Sequence, residues 1–352
     1  MSFQDGWAAI NLEMPERIPR VEFDAERHWD LVRTVTGIDV SFDSPETLQL
    51  SASRRFMETW NYDVRLEPLI GDEELDAKRT RMGHSEYIAG GGDYNDQIGC
   101  PFKDPQEVFE FDPWEVYGAK KIRELTSRFN AHYRSQCAKY PTLVNTTGTY
   151  VTLFSGFISI FGWDMFLTAG GLDPVALGAT AQRYAKWMQQ YYDALADSEA
   201  PFIYSHDDIV WTSGAVFHPK WYREFIFPNY RKFYAPLLEA GKKVIFIADG
   251  NYTEFIDDVA KTGASGFFFE PLTDLRYIVE HYGKTHIIIG NADTRFLLHG
   301  TKQEIAEEVK RCMDLGRDCP GYFMGVTNMI PANTPVDSAL YYNDIYRKLS
   351  TR

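Results

Sequence analysis

The chain has 352 residues, of which 44% are hydrophobic and 24% charged; 36 basic side chains face 50 acidic ones, for a net charge of −14. These proportions exclude a disordered or collagen-like chain, and the length allows either about two domains or one large α/β barrel. The acidic balance argues against general nucleic-acid binding, which neutralises phosphates with Lys and Arg.

The elements run in chain order as follows. Ile18 to Phe23 reads as a first strand, followed by a helix from Ala25 to Thr36. Tyr62 to Glu67 reads as a second strand. The stretch 71–112, with Gly90-Gly91-Gly92-Asp93, breaks the alternation and reads as an irregular excursion over the mouth of the fold. Trp114 to Tyr140 reads as one long helix and Thr142 to Asn145 as a third strand. Two helical segments follow, the second from Ala181 to Ser198. Five strand–helix units then run in succession, with strands at Phe202–Tyr204, Val244–Ile247, Gly266–Phe269, His286–Ile289 and Tyr322–Met324. The helix from Lys220 to Ala240 carries Pro228 and Pro236, which predict a kink. Thr301 to Gly316 places Ile305, Val309 and Met313 on one face. The closing helix, Pro335 to Leu349, has Thr334 as its expected N-cap.

Strands joined by crossover helices run parallel. Three plus five makes eight, so the expectation is a single (β/α)8 TIM-type barrel over 1–352, with an N-terminal extension and the excursion at its mouth.

Four cysteines (Cys100, Cys137, Cys312 and Cys319) form no Cys-x-x-Cys pair and no disulfide framework, which fits a reducing, cytoplasmic setting. The start, Met1 to Trp7, shows no secretory pattern. The most apolar stretch, Val151 to Trp163, is interrupted and ends at Asp164. It falls short of the ~18 apolar residues of a membrane span. No membrane association is expected.

Barrel enzymes build their sites where strands run into helices. Reading those ends gives Ser205-His206-Asp207-Asp208, Asp249-Gly250-Asn251, Glu270-Pro271, Asn291-Ala292-Asp293 and Thr327-Asn328. Carboxylates crowded on one rim repel unless they bind a cation, share protons or face water. Each has a plainer use as well. Asp208 or Asp249 would serve as a helix cap, and His206 as a hydrogen-bonded loop histidine. His84, Glu86 and Tyr87 could reach the rim from the excursion. Cys312, beside Val309 and Met313, reads as core. There is no Gly-x-Ser-x-Gly and no His-Glu-x-x-His.

Taken in order, several segments resemble the uroporphyrinogen decarboxylase superfamily. They are Glu16-Arg17-Ile18-Pro19 before Arg27-His28-Trp29; Glu110-Phe111-Asp112-Pro113; Asp207-Asp208 with His218-Pro219; Ile245 to Asn251; Gly290-Asn291-Ala292-Asp293; and Ile330-Pro331 with Thr334-Pro335. The resemblance implies the (β/α)8 barrel. It also implies one of two chemistries, decarboxylation or corrinoid-dependent methyl transfer. The departures separate them. The decarboxylases' Arg-Gln-Ala-Gly-Arg is replaced here by Asp24-Ala25-Glu26-Arg27, and an acidic rim is the wrong sign for a polycarboxylate. The thiol-directed methyltransferases' His-x-Cys falls on Ile247 and Asp249.

What remains is an O-demethylase-like methyltransferase, taking a methyl from a small methylated, methoxyaromatic substrate to the cobalt (cobalamin-type corrinoid) of a partner protein. On that resemblance His206, Asp207, Asp249 and Glu270 are the expected catalytic residues. Asp249 and Glu270 are the expected zinc ligands. Tyr204, Glu86, Asn251, Asn291, Asp293 and Asn328 are expected to bind substrate. Oligomerisation is compatible with this reading. The alternatives are a lyase gripping a smaller carboxylated substrate with Arg17, Arg20 or Arg295, and a non-catalytic binding homologue.

Overall fold

A computed structural model describes residues 3–80, 86–88, 91–93 and 99–352, with only the backbone of 86–88 and 91–93. The fold is a (β/α)8 barrel. The first position, β1 (19–21), is a segment joined to the barrel by one β-bridge, Arg20–Met324. The strands are β2 (Val64–Arg65), β3 (Val144–Asn145, resuming as Thr147–Thr149), β4 (Phe202–His206), β5 (Lys243–Ala248), β6 (Gly266–Phe269), β7 (Ile287–Ile289) and β8 (Tyr322–Phe323). From β3 to β8 they form one six-stranded parallel ladder. Shorter pairings carry the ring onward. Met324 bridges Arg20, the Asp63 N–H donates to the Arg20 carbonyl, and Val64 pairs with Val144.

The two-residue period of a strand divides the core into two layers. Phe202, Tyr204, Ile245, Ile247, Phe268, Ile287 and Ile289 fill the inside of the barrel. Their neighbours Ile203, Val244, Phe246, Phe267, Phe269 and Ile288 pack outward under the helices. Because both faces are buried, the strands read in sequence as unbroken apolar runs. The helix Phe3–Ile10 closes the inner layer at the strand starts, contributing Ala9 and Ile10.

Local chemistry sets the helix ends. Asp173 caps Pro174–Ala196 with Pro174 in the first turn. Thr301 and Glu304 form a capping box at the start of Lys302–Gly316. The single helix expected over Trp114–Tyr140 is two, Pro113–Tyr117 and Ile122–Lys139. Gly118, at φ +70°, ends the first. The Lys220–Ala240 segment is likewise two, Pro219–Phe225 and Phe227–Glu239, meeting at Ile226, just before Pro228. Among the described residues no helix is long and apolar enough to cross a membrane.

Candidate active site

The site begins from parity on β4. Phe202 and Tyr204 face into the barrel, so His206 does too, and Asp207 faces the helices. The His206 ring lies parallel on Tyr150, with centroids 4.2 Å apart and planes 2° from parallel. Its Nδ1–H donates to the Tyr150 carbonyl at 2.7 Å, and Nε2 stands 3.2 Å from Asp208 Oδ1. Burial alone would lower the imidazole pKa. The Asp208 charge and hydrogen bond, aided by Asp249, lift it instead from 6.5 to about 9. At neutral pH His206 is an imidazolium.

The neighbouring strand ends supply carboxyls. Asp208 Oδ1 also accepts the Asp249 N–H at 2.9 Å. Burial, then repulsion from Asp208 and Glu270, pushes the Asp249 carboxyl well above the usual carboxylate range, against the pull of His206. Glu270 Oε2 accepts the Gly250 N–H at 2.6 Å, aimed there by a backbone at φ +76° that glycine adopts freely. The Asn328 side chain reaches back from beyond β8. Its amide nitrogen donates to Glu270 Oε1 at 3.0 Å and lies 3.5 Å from Asp249 Oδ2. Its backbone sits at φ +79°, a region that few residues other than glycine and asparagine enter. Thus β4, β5, β6 and the segment after β8 converge on one cluster of His206, Asp208, Asp249, Glu270 and Asn328.

Other expected site residues lie elsewhere. Asp207 is fully buried and receives the backbone N–H groups of Leu153 (3.1 Å) and Phe154 (2.8 Å), that of Ser155, and the Tyr230 hydroxyl. It anchors the N-terminus of the helix Phe154–Leu172. Asn251 accepts the Thr253 N–H, an Asx turn. After β7 the chain turns at Gly290, φ +133°, and parity is lost. Asn291 therefore faces Arg311 on the helix side, accepting from Nη2 at 3.0 Å. Asp293 caps Thr294–His299 and pairs with Arg295, which holds its carboxyl below the usual range despite partial burial. His84 lies outside the described residues, as do the side chains of Glu86 and Tyr87. Tyr150, which stacks on His206, was missed in sequence. It directly follows the Thr147–Thr149 strand end, and extending the third strand past Asn145 would have found it.

The residues present do not fit the zinc ion that the resemblance implies. Among the described residues no group of three His, Cys, Asp or Glu side chains is arranged to hold a metal ion, the His206–Asp208–Asp249–Glu270 cluster included. Both His206 nitrogens are engaged, and Asn328 presents its amide nitrogen, a donor, to Asp249 and Glu270.

Beside the cluster lies a cavity of about 270 Å³, walled by Phe23, Asp24, Glu26, Tyr62, Arg65, Glu67, Tyr150 and Tyr204, among others. Tyr150 and Tyr204 flank both the cavity and the His206 ring. A larger groove of about 620 Å³ adjoins it, sharing Asp24, Arg27, Arg65 and Glu67.

A family model described as uroporphyrinogen decarboxylase (URO-D) matches residues 151–349. The chain is 24% identical over 266 residues to a uroporphyrinogen decarboxylase of Carboxydothermus hydrogenoformans, covering 72% of this chain and 74% of that one. It is 25% identical over 114 residues to the methylcobamide:CoM methyltransferase MtbA of Methanosarcina acetivorans, covering 32% of this chain and 33% of that one. A solved methyltransferase from Methanosarcina mazei shares the fold with a TM-score of 0.65, at 16% identity over 97% of this chain and 96% of that one. Both decarboxylases and methyltransferases thus stand among its relatives, and the chain itself belongs to the uroporphyrinogen decarboxylase family.

Proposed function

We propose that this protein is a methyltransferase that moves a methyl group from a small methoxylated aromatic substrate to the cobalt of a corrinoid brought by a partner protein. The observation that carries the proposal is the crowding of the part-buried Asp249 carboxyl by Asp208 and Glu270, which holds its pKa well above the usual carboxylate range, at a site shared with the His206 ring. An aryl methyl ether gives up its methyl only as its oxygen is protonated or polarised, because a phenolate is a poor leaving group at neutral pH. In this reading Asp249 gives its proton to the ether oxygen as the methyl carbon–oxygen bond breaks. The bonding pair stays on oxygen, the phenol leaves, and the methyl passes to the reduced cobalt of the partner. Asp208 and Glu270 raise the proton affinity of Asp249, and the Asn328 amide holds Glu270 in place. His206 reprotonates Asp249 after turnover.

The three arginines expected to grip a carboxylated substrate are all engaged elsewhere. Arg17 is taken by Asp63 and Asp5. Arg20 is wholly buried against Glu22 and Asn343, and Arg295 is paired with Asp293. The similarity to a methylcobamide:CoM methyltransferase supports a corrinoid partner. The test mixes purified protein with a reduced corrinoid protein and a panel of methoxyarenes. Methyl-cobalt absorbance is expected. Carbon dioxide released from uroporphyrinogen, with no methyl-cobalt formed, contradicts the proposal and favours the decarboxylase reading.

A further inference from the structure

Tyr204 is a polar group of the barrel interior that the proposed chemistry leaves idle. It lies two residues before His206 on β4 and shares its inward face. The residue is 4% exposed, and its hydroxyl makes no hydrogen bond among the described residues. The hydroxyl of Tyr62, also without a partner, is sealed from the surface. That of Tyr204 keeps accessible area, and the space its side chain lines is the 270 Å³ cavity. Buried hydroxyls are nearly always hydrogen-bonded. The ionic groups in the same walls already have partners within the protein. Arg65 donates to Glu26 and Glu67 at 2.8 Å each, Arg27 stands 3.7 Å from Asp24, and Glu22 accepts from Arg20 and Tyr342. The acceptor for Tyr204 therefore has to come from a guest.

The surroundings fix which way that bond runs. Burial, then Tyr150, Asp249, Asp208 and Glu67, hold the Tyr204 phenol well above the usual tyrosine range, so it keeps its proton and donates. These neighbours also fix its place. Glu67 belongs to the cavity wall, while Asp249 and Asp208 belong to the acid cluster, so the hydroxyl stands where the two meet. An ether oxygen has two lone pairs and no proton. Asp249 engages one of them in the proposed reaction, and the other is open to a second donor. As the methyl carbon–oxygen bond breaks, negative charge builds on that oxygen. A donor already aimed at it stabilises the transition state more than the bound ether.

We infer that Tyr204 is a second catalytic donor, its hydroxyl hydrogen-bonding to the leaving oxygen of the methyl donor while Asp249 protonates that oxygen. The inference rests on the proposed function and adds to it a residue whose own O–H bond stays intact throughout.

Tyr204→Phe removes only the hydroxyl, and thermal unfolding is expected to be unchanged because that hydroxyl has no partner in the protein. Titration calorimetry on the full chain, with no corrinoid present, compares each methoxyarene of the panel with the ethylarene of the same shape, which carries CH2 in place of the oxygen. The preference for the ether over its ethyl counterpart is expected to fall about fivefold in Tyr204→Phe. With reduced corrinoid protein, kcat for methoxybenzene is expected to fall by about a hundredfold in the variant. The fall should be smaller for 4-nitromethoxybenzene, whose leaving oxygen spreads its charge into the ring. An undiminished ether preference in Tyr204→Phe, an equal loss of kcat for both ethers, or no binding of any methoxyarene would each overturn the inference. A wild type that forms methyl-cobalt while the ether preference survives in Tyr204→Phe overturns this inference alone. A wild type that holds the ether through Tyr204 yet forms no methyl-cobalt overturns the proposed function alone.

Discussion

His206 and Asp207 are consecutive residues that serve opposite sides of the barrel wall. His206 points inward onto Tyr150 and Asp208, while Asp207 points outward into the first turn of Phe154–Leu172. Substitutions at the two should therefore fail in different ways. Asp207→Ala strands three backbone N–H groups and a buried tyrosine hydroxyl, a loss on the order of 3 kcal/mol or more. Denaturant unfolding should show it as a lower midpoint. His206→Gln should lose methyl transfer, and the stability it gives up should be the charge-dependent part that fades as pH rises through about 9.

The His206 pKa sets the direction of a pH effect. It is raised from 6.5 to about 9 by Asp208. The stabilisation this adds is fully present below pH 6.5 and is lost as pH rises through about 9. Unfolding free energy measured from pH 6 to pH 10 should fall more steeply in the wild type than in His206→Gln. Parallel curves would show that the imidazolium does not form.

Asp249 trades stability for chemistry. Its raised pKa means that the folded state holds a proton that the unfolded chain releases at ordinary aspartate pH. Raising the pH above that point therefore costs stability. Asp249→Asn removes the conflict with Asp208 and Glu270, and should raise the unfolding midpoint at pH 8 while methyl transfer falls by roughly a hundredfold or more. A lowered midpoint at pH 8 would mean that the carboxyl is not held against its neighbours.

Asn328 is a positioning residue. Asn328→Asp replaces the amide that faces Glu270 and Asp249 with a third carboxylate. The expected result is a kcat lower by about tenfold or more, with KM for the methoxyarene little changed. The pH profile should also move, because a further negative charge pushes Asp249 higher still. An unchanged pH profile would remove Asn328 from the cluster.

Much of this architecture was legible because both faces of β4 to β7 are buried. Their apolar runs, such as Val244 to Ile247 and Phe267 to Phe269, stand out without any alternation. The segments around β1 and β2 are short and largely polar, with Arg20, Glu22 and Asp63 buried and Arg65 half-buried, all in ion pairs, so they gave a weaker signal. The helix Glu46–Thr59 went unread because its apolar residues are sparse. At the site, listing strand ends located His206, Asp249, Glu270 and Asn328. It did not separate them from Asp207, Asn291 and Asp293, because composition is blind to which way a side chain faces. Strand parity separates His206 from Asp207. It fails at Gly290, where the backbone turns before Asn291.

The most direct test is the growth of methyl-cobalt absorbance when wild type, Asp249→Asn and Glu270→Gln are each mixed with reduced corrinoid protein and the methoxyarene panel. The account predicts signal in the wild type for at least one methoxyarene, and a rate roughly a hundredfold lower in Asp249→Asn despite intact folding. Wild-type rates in Asp249→Asn, or no signal in the wild type with its own corrinoid partner, would contradict it.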